Sequence, residues 1–531
     1  MKTAKWKSPM TDELVKVAED SARGGFFLLS GNAFSTAIMA ISTIFVARLL
    51  GPELYGQYSL ALIIPQLLFL LTDLGLNQGI IKFAATLRAK GEINHVAKII
   101  KYGLMLRALA GIAIFITTYA LADFFASVFL KRPELAFYIR IASIGVVFQV
   151  ISTTAGSAFI GLDKTEYNAL ALNIQAVAKV IISISLVLLG FSVAGAILGV
   201  VASYIVAASA SAFMLYLMIR ERQSTENSHS IREDFRTLMR YGTPLYLSVL
   251  LIGFTPVYQN VILALFTTDA DIGNYKAATN FATLLTVVTL PITAILLPAF
   301  SKLDTANTQK TRTFFRLANK YTAMLVLPIT VLIIIFSNQI VRIVYGSMYR
   351  SGSLFLASYV LMYFLVGFGY LTLASFFNGF GKTKITFTMN LITFLIVLVL
   401  SPVLTQSYGV LGLIIAFLIA NVADNIYAFY VARSSFKIEF DVRSMIKIYL
   451  VSFLSSIPAV ITLRFSSFPP LLNVIVGGLL YLFTYTTLTP LMKIVDQQEL
   501  KAVANILAKI KPLVPIYTPV LRYQRKILSY L

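Results

Sequence analysis

Residues 154–165 read TAGSAFIGLDKT and residues 372–383 read TLASFFNGFGKT. Six of the twelve positions agree at an offset of 218: Thr154/Thr372, Ser157/Ser375, Phe159/Phe377, Gly161/Gly379, Lys164/Lys382 and Thr165/Thr383. Two shorter echoes fall at 217, Gly56-Gln57-Tyr58 against Gly273-Asn274-Tyr275 and Val193-Ala194-Gly195 against Val410-Leu411-Gly412. Three matches at nearly one spacing read as an internal duplication.

The duplicated sequence is apolar. Hydrophobic residues make up 58% of the 531 and charged residues only 13%, against about 25% charged in soluble domains. Apolar runs of 20 or more residues recur along the chain, each enough to cross a hydrocarbon core about 30 Å thick. Reading them between polar breaks predicts about 14 transmembrane segments, starting near residues 25, 55, 103, 135, 167, 193, 241, 275, 319, 353, 384, 409, 446 and 470. Six segments fit each repeat, so both copies share one orientation and a pseudo-twofold axis along the membrane normal is expected.

The expected fold is therefore an all-α polytopic membrane protein with two six-helix bundles and two appended C-terminal helices. Its expected parts are an N-terminal segment 1–24, a first bundle 25–220, a linker 221–240, a second bundle 241–433, helices 13 and 14 over 434–492, and a basic amphipathic tail 493–531. The polar first 24 residues offer no short apolar region with a cleavage site, so the first span is expected to be retained.

Charge fixes the expected direction. With both termini cytoplasmic, 35 of the 44 Lys and Arg lie on the cytoplasmic side and eight on the outer side: Arg48, Lys131, Arg132, Arg140, Lys276, Arg342, Arg350 and Arg464. That asymmetry is the positive-inside pattern, so the net charge of +21 reflects topology and attraction to anionic membrane lipids; nucleic acid is not an expected partner. The chain has no cysteine, and His95 and His229 stand in separate polar loops, so neither a metal nor any other cofactor is expected.

The forty-fourth cation, Lys179, sits in QAVAKVIISISLVL, about 15 Å from either interface of its predicted helix. An ionised group there costs roughly 2.5 to 3.5 kcal/mol on insertion scales. Gln175, Lys179 and Ser183 form an i, i+4, i+8 stripe. Two readings stay open, a wet cavity for an anionic group and an internal pair with an acid such as Asp73.

Asp73 and Asn77, four apart in LLTDLGLNQG, are candidates for ion pairing, coupling or plain interhelical hydrogen bonding. Asp424, between Asn421 and Asn425, reads foremost as interhelical glue, with ion coupling or pairing as its other reading. Arg140 and Arg48 lie near outer helix ends, where two readings stay open, a place in the substrate cavity and snorkelling to headgroups. Lys276, Asn280 and Thr283 share a helix face.

Enzyme readings fail for want of a site. GLDKT and GFGKT lack the spacing of a phosphate-binding loop. Asp269-Ala270-Asp271 is expected to be a turn in a short outer loop. No loop is large enough for a catalytic constellation. The tail places Leu500, Val503, Leu507 and Ile510 opposite Lys501, Lys509 and Lys511, a pattern for a helix on the inner leaflet or on neighbouring loops.

The stretch ARLLGPELYGQYSLA, its echo DIGNYKAA, the GLDKT and GFGKT loops and the 6 + 6 + 2 helix count together resemble the polysaccharide-transporter branch of the multidrug/oligosaccharidyl-lipid/polysaccharide exporter superfamily, the Wzx-like flippases. That resemblance implies translocation of a polyprenyl-(di)phosphate-linked oligosaccharide from the cytoplasmic to the outer leaflet of the cell membrane by alternating access. No enzymatic activity is expected, nothing in the sequence requires more than a monomer, and glycan-assembly enzymes are candidate partners. The resemblance also implies a cationic cavity lined by helices 1, 2, 7 and 8, for which Lys276 and Asn280 on helix 8 are candidate substrate-binding residues, with snorkelling of Lys276 to headgroups as the other reading. Tyr258 and Asn260 fall on helix 7, in VYQNVIL, where many relatives carry an acid. A cation-coupled antiporter of the same superfamily is the alternative.

Overall fold

The computed structural model describes residues 9–220, 246, 250, 251, 253–303, 308–500 and 514–530. Every regular element among them is helical. The chain forms two compact units, Met1–Lys276 and Ala277–Leu531. The expected linker 221–240 lies outside the described residues.

In the first unit the helices are α1 (Pro9–Ala61), α2 (Ile63–Leu70), α3 (Leu76–Ala89), α4 (Ile93–Ala120), α5 (Ala136–Gly161), α6 (Thr165–Leu186), α7 (Ser192–Arg220) and α8 (Gly253–Phe266). Helix α9 (Asp269–Ala282) runs on into the second unit. There follow α10 (Leu284–Ser301), α11 (Thr308–Ile335), α12 (Ser337–Val344), α13 (Gly352–Tyr359), α14 (Thr372–Gly379), α15 (Thr383–Phe436), α16 (Val442–Leu454), α17 (Ser456–Phe465), α18 (Pro470–Leu491) and α19 (Val514–Ser529).

Among the described residues nine helices are long and apolar enough to cross a membrane, or ten if Gly352–Phe368 and Thr372–Gly379, bent by 52°, make one span. The polytopic all-helical class stands, but the number 14 is not reached by this count. One reason is that the expected seventh segment is described as a helix only over Gly253–Phe266. The other is that three of the nine helices each join two expected segments across a break: at Gly51 (φ 74°), at Gly190 (φ 91°) with Ser192 (φ 48°), and at Gly409 (φ 57°).

Those breaks carry the duplication into the backbone. Ser192 has φ 48°, ψ −130° and Gly409 φ 57°, ψ −140°, and the two stand 217 residues apart. Glycine adopts such angles freely, whereas serine does so at a cost of order 1–3 kcal/mol. The paired turns agree as closely. Asp163 (φ 60°) and Gly381 (φ 68°) reverse the chain, and the N–H groups of Lys164 and Lys382 donate to Phe159 O and Phe377 O, both at 2.8 Å. These bonds satisfy carbonyls that the helix ends leave open.

Each turn is anchored by a matched glycine. A methyl on Gly161 would lie 2.8 Å from Ala84 Cβ, and one on Gly379 2.7 Å from Phe300 Cβ. Around the first, Ile80, Val96, Ile99 and Phe159 form a buried cluster; around the second, Phe300, Phe315, Phe376 and Phe377 do, with rings edge-on such as Phe300 and Phe376 at 5.4 Å. The copies thus share backbone geometry while differing in what fills it.

The third echo is a reciprocal contact within the first unit. A methyl on Gly56 would lie 1.9 Å from Asp269 O, and one on Gly273 1.8 Å from Pro52 O. Pro52 and Asp269 are themselves 217 apart. Each glycine therefore meets the equivalent carbonyl of the other segment, as an isologous twofold contact requires. Asp269 and Asp271, expected in a loop turn, instead open α9. Thr268 Oγ1 accepts from Asp271 N at 3.2 Å, and Arg132 Nε donates to Asp269 at 2.8 Å. Thr268 Oγ1 thus supplies an acceptor to one of the N–H groups that a helix start leaves open.

In the second unit the bend after Gly369 (φ 93°) is held by Asn425, whose amide reaches Phe368 O and Tyr370 N, both at 3.2 Å. Beyond α18, Asp496 and Glu499 cap each other's backbone N–H groups, and Glu499 also accepts from Lys320 at 2.8 and 2.9 Å. Leu500 is the last described residue of the amphipathic pattern; Lys501, Val503, Leu507, Lys509, Ile510 and Lys511 fall outside the described residues.

Gly56→Ala and Gly273→Ala are each expected to destabilise the detergent-solubilised protein by about 1–3 kcal/mol through overpacking. Gly478→Ala, where a methyl meets nothing within 4 Å, is expected not to lower the melting temperature. Equal melting of all three variants would contradict the close approach.

Candidate substrate site in the first unit

Helix α6 carries the isolated lysine. Gly31 of α1 lies against Ala169, where a methyl would be 2.4 Å from Ala169 Cβ, and Gly199 of α7 lies against Ser183. Both glycines draw neighbouring backbones onto α6. Leu170, Val177 and Ile181 line one exposed apolar edge of α6. Lys179 is two residues from both Val177 and Ile181, so at 3.6 residues per turn it projects from the opposite side. Gln175 shares that side.

A side chain diametrically opposite the exposed edge is ordinarily sealed in packing. Lys179 and Gln175 nevertheless remain partly accessible. Lys179 makes no hydrogen bond or ion pair with any described residue. Ser183, the third member of the stripe, is buried, with its hydroxyl turned to Ala196 O at 3.5 Å. The stripe is therefore accessible over Gln175–Lys179 and packed at Ser183.

Asp73 does not pair with Lys179. Arg107 of α4 donates to Asp73 Oδ1 at 2.8 Å through Nη1 and to Thr72 Oγ1 at 2.9 Å through Nη2. Asn77 N–H donates to the same Asp73 oxygen at 3.2 Å. Arg107 is fully buried, with its guanidinium carbon 6.0 Å from the Phe69 ring, and its Nε has no acceptor. Arg107, one of the 35 cations expected on the cytoplasmic side, stands instead inside the span Asn94–Ala120. The signal was present in KYGLMLRALAG, where a single arginine is flanked by apolar residues on both sides.

The remaining candidates divide by environment. Arg140 pairs with Asp123 and lies 6.0 Å from the Tyr119 ring, near the start of α5. Arg48 is exposed. Tyr258 is partly accessible and stacks on Phe254 at 6.3 Å, whereas Asn260 and Gln259 are buried, Gln259 Nε2 without an acceptor. Lys276 and Asn280 are partly accessible and Thr283 exposed on α9 and its end. Asp424 is buried in the second unit, accepting from Thr393 at 2.7 Å, with Oδ1 unpartnered. Asn421, beside it, donates to Phe417 O at 2.7 Å.

Of the sequence candidates, then, Asp73 and Asn77 are joined directly, and Asp73 and Arg140 are each neutralised by a partner. No group of three or more His, Cys, Asp or Glu suited to a metal occurs among the described residues.

Breaking one side of a buried ion pair costs about 3–5 kcal/mol, because it strands the other charge. Arg107→Met and Asp73→Asn are each expected to destabilise the protein by that order. The double replacement is expected to cost less than either single change. A thermal-unfolding double-mutant cycle reads this directly, and additive losses would contradict the pairing.

Comparison with known proteins agrees with the fold. The family model described as polysaccharide biosynthesis protein matches residues 21–304. No match was found among curated protein sequences. Among solved structures, the lipid II flippase MurJ in an inward closed conformation is similar at a TM-score of 0.69 and 18% identity, covering 87% of this chain and 99% of MurJ. An inward-facing multidrug resistance MATE family transporter of the MOP superfamily is similar at 0.64 and 18%, covering 76% and 94%. A MOP superfamily transporter from Pyrococcus furiosus is similar at 0.56 and 20%, covering 79% and 95%. The chain belongs to the polysaccharide biosynthesis protein family and has the fold of the MOP superfamily transporters.

Proposed function

We propose that this protein is a flippase that carries a polyprenyl-(di)phosphate-linked oligosaccharide from the cytoplasmic to the outer leaflet of the cell membrane by alternating access. The observation that carries the reading is Lys179: a cation in mid-span, opposite the exposed apolar edge of α6, accessible and without a partner among the described residues. A phosphate leaving water loses hydration that costs several kcal/mol or more per charge. A preplaced ammonium in a hydrated recess offsets that loss, with Gln175 beside it to bond sugar hydroxyls. The prenyl tail stays in lipid throughout.

The disposition of the carboxylates supports the same choice over an antiporter. Asp73 and Asp123 are both engaged by arginines, and α8 carries Tyr258, Gln259 and Asn260 in place of an acid. Asp424 favours the cation-coupled reading, since one of its oxygens is buried without a partner.

The test is reconstitution into liposomes with a fluorescent lipid-linked oligosaccharide, following its loss from one leaflet. Wild type is expected to translocate it, Lys179→Arg to retain most of the rate, and Lys179→Ala to lose about tenfold or more, the equivalent of about 1.4 kcal/mol. Wild type that moves no lipid-linked sugar under any imposed gradient, yet exchanges organic cations for protons or sodium, would overturn the proposal.

A further inference from the structure

Away from the lysine site, the second unit holds a cavity of about 390 Å³ between the first turns of α11 and the entry to α16. Ligand sites commonly measure about 300–1,000 Å³. Arg312, Thr313 and Arg316 line it from one face of α11, and Glu439, Asp441 and Arg443 from the other side. Three guanidinium groups therefore face two carboxylates.

Neither carboxylate saturates them. Asp441 is committed to capping α16, accepting from Ser444 N at 3.0 Å and Ser444 Oγ at 2.7 Å. Although partial burial pushes the Asp441 carboxyl up, these bonds and the nearby Arg316 and Lys320 hold it below its usual range. It therefore stays an anion that is already in use. Glu439 is 81% exposed and comes no nearer than 3.8 Å to Arg312, too far for a hydrogen bond. Arg312 Nε is buried with no acceptor. Arg316 and Arg443 make no hydrogen bond or close ion pair among the described residues. The cavity thus has an excess of planar, forked donors, which suit the oxygens of a phosphate.

Its place in the fold names the source of that phosphate. The lining residues stand in the first two turns of the span Gln309–Ile335 and at or just before the start of the span Val442–Phe465, the height of lipid headgroups. Directly beneath, Val442, Ile446, Leu450 and Phe453 are exposed along one face of α16, an apolar track at i, i+4, i+8 and i+11. A soluble anion would use the arginines and leave the track idle. We infer that this cavity binds the phosphodiester headgroup of an anionic membrane lipid, whose acyl chain lies along the exposed face of α16. The site is separate from Lys179 and does not depend on the flippase reading.

The test uses the full chain in nanodiscs of phosphatidylcholine, titrated with phosphatidylglycerol and monitored by native mass spectrometry. Wild type is expected to retain phosphatidylglycerol over phosphatidylcholine, and Arg316→Gln/Arg443→Gln to lower that preference by at least about tenfold. Lys384→Ala/Arg433→Ala, which removes two basic residues elsewhere in the same unit, is expected to leave it unchanged. Glutamine keeps hydrogen-bonding capacity, and melting in pure phosphatidylcholine checks the fold. If the double glutamine variant does not fold, the same reading is taken on Arg443→Gln alone. Retained preference in the site variant, or equal loss in the control, would overturn the site. Displacement of the lipid by millimolar inorganic phosphate or glycerol phosphate would overturn the lipid assignment in favour of a soluble anion.

Discussion

An ionised group in the hydrocarbon region must be paired, hydrated or moved to an interface, and four cations within the described spans divide along those lines. Arg107 is sealed, and tolerable only because Asp73 and Thr72 receive its two terminal nitrogens. Arg140 lies at an edge with Asp123. Lys320 is nearly buried and has Glu499 on it. Lys179 has no such partner among the described residues, and its accessibility on the inner side of α6 is what distinguishes it. Arg107 and Lys320 are held by partly buried partners, and Arg140 by a partner at an exposed edge. The fourth is the one on which the proposed function rests.

The scaffold that presents Lys179 is built by duplication, and the duplicated features are backbone features. Positive φ at Asp163 and Gly381, the kinks at Ser192 and Gly409, and the reciprocal approach of Gly56 and Gly273 recur at 217 or 218 residues. Side-chain content diverges around them. The first core is largely aliphatic, while the second is a cluster of phenylalanines. Constraints on backbone path leave few residue types acceptable, whereas packing tolerates many volume-conserving solutions.

That difference explains how much was legible in the sequence. The paired turns were readable because a reversal after a helix demands a residue tolerant of positive φ and a close-packed glycine, a local requirement that leaves its mark on residues 154–165 and 372–383. Helix breaks were harder. Ser192 does at one kink what Gly409 does at the other, and nothing in a serine announces it. Arg107 was missed because a cation 14 residues into a helix beginning at Ile93 resembles an interfacial one until its partner is known. Its partner lies 34 residues away in sequence. Ser183 and Asn260 looked equivalent to their neighbours on helical spacing; their burial depends on which helix packs there, through Gly199 in the case of Ser183.

The central claim is that the Gln175–Lys179 face of α6 borders water inside a membrane protein while the Val177–Ile181 face borders lipid. The natural absence of cysteine allows a direct measurement. Single cysteines at 175, 177, 179 and 181 can be exposed in native membranes to a charged, membrane-impermeant thiol reagent, which attacks only thiolates that water reaches. Rapid modification at 175 and 179, with little at 177 and 181, is the result this account predicts. Protection of 179 together with 175, or equal labelling at all four positions, would contradict it.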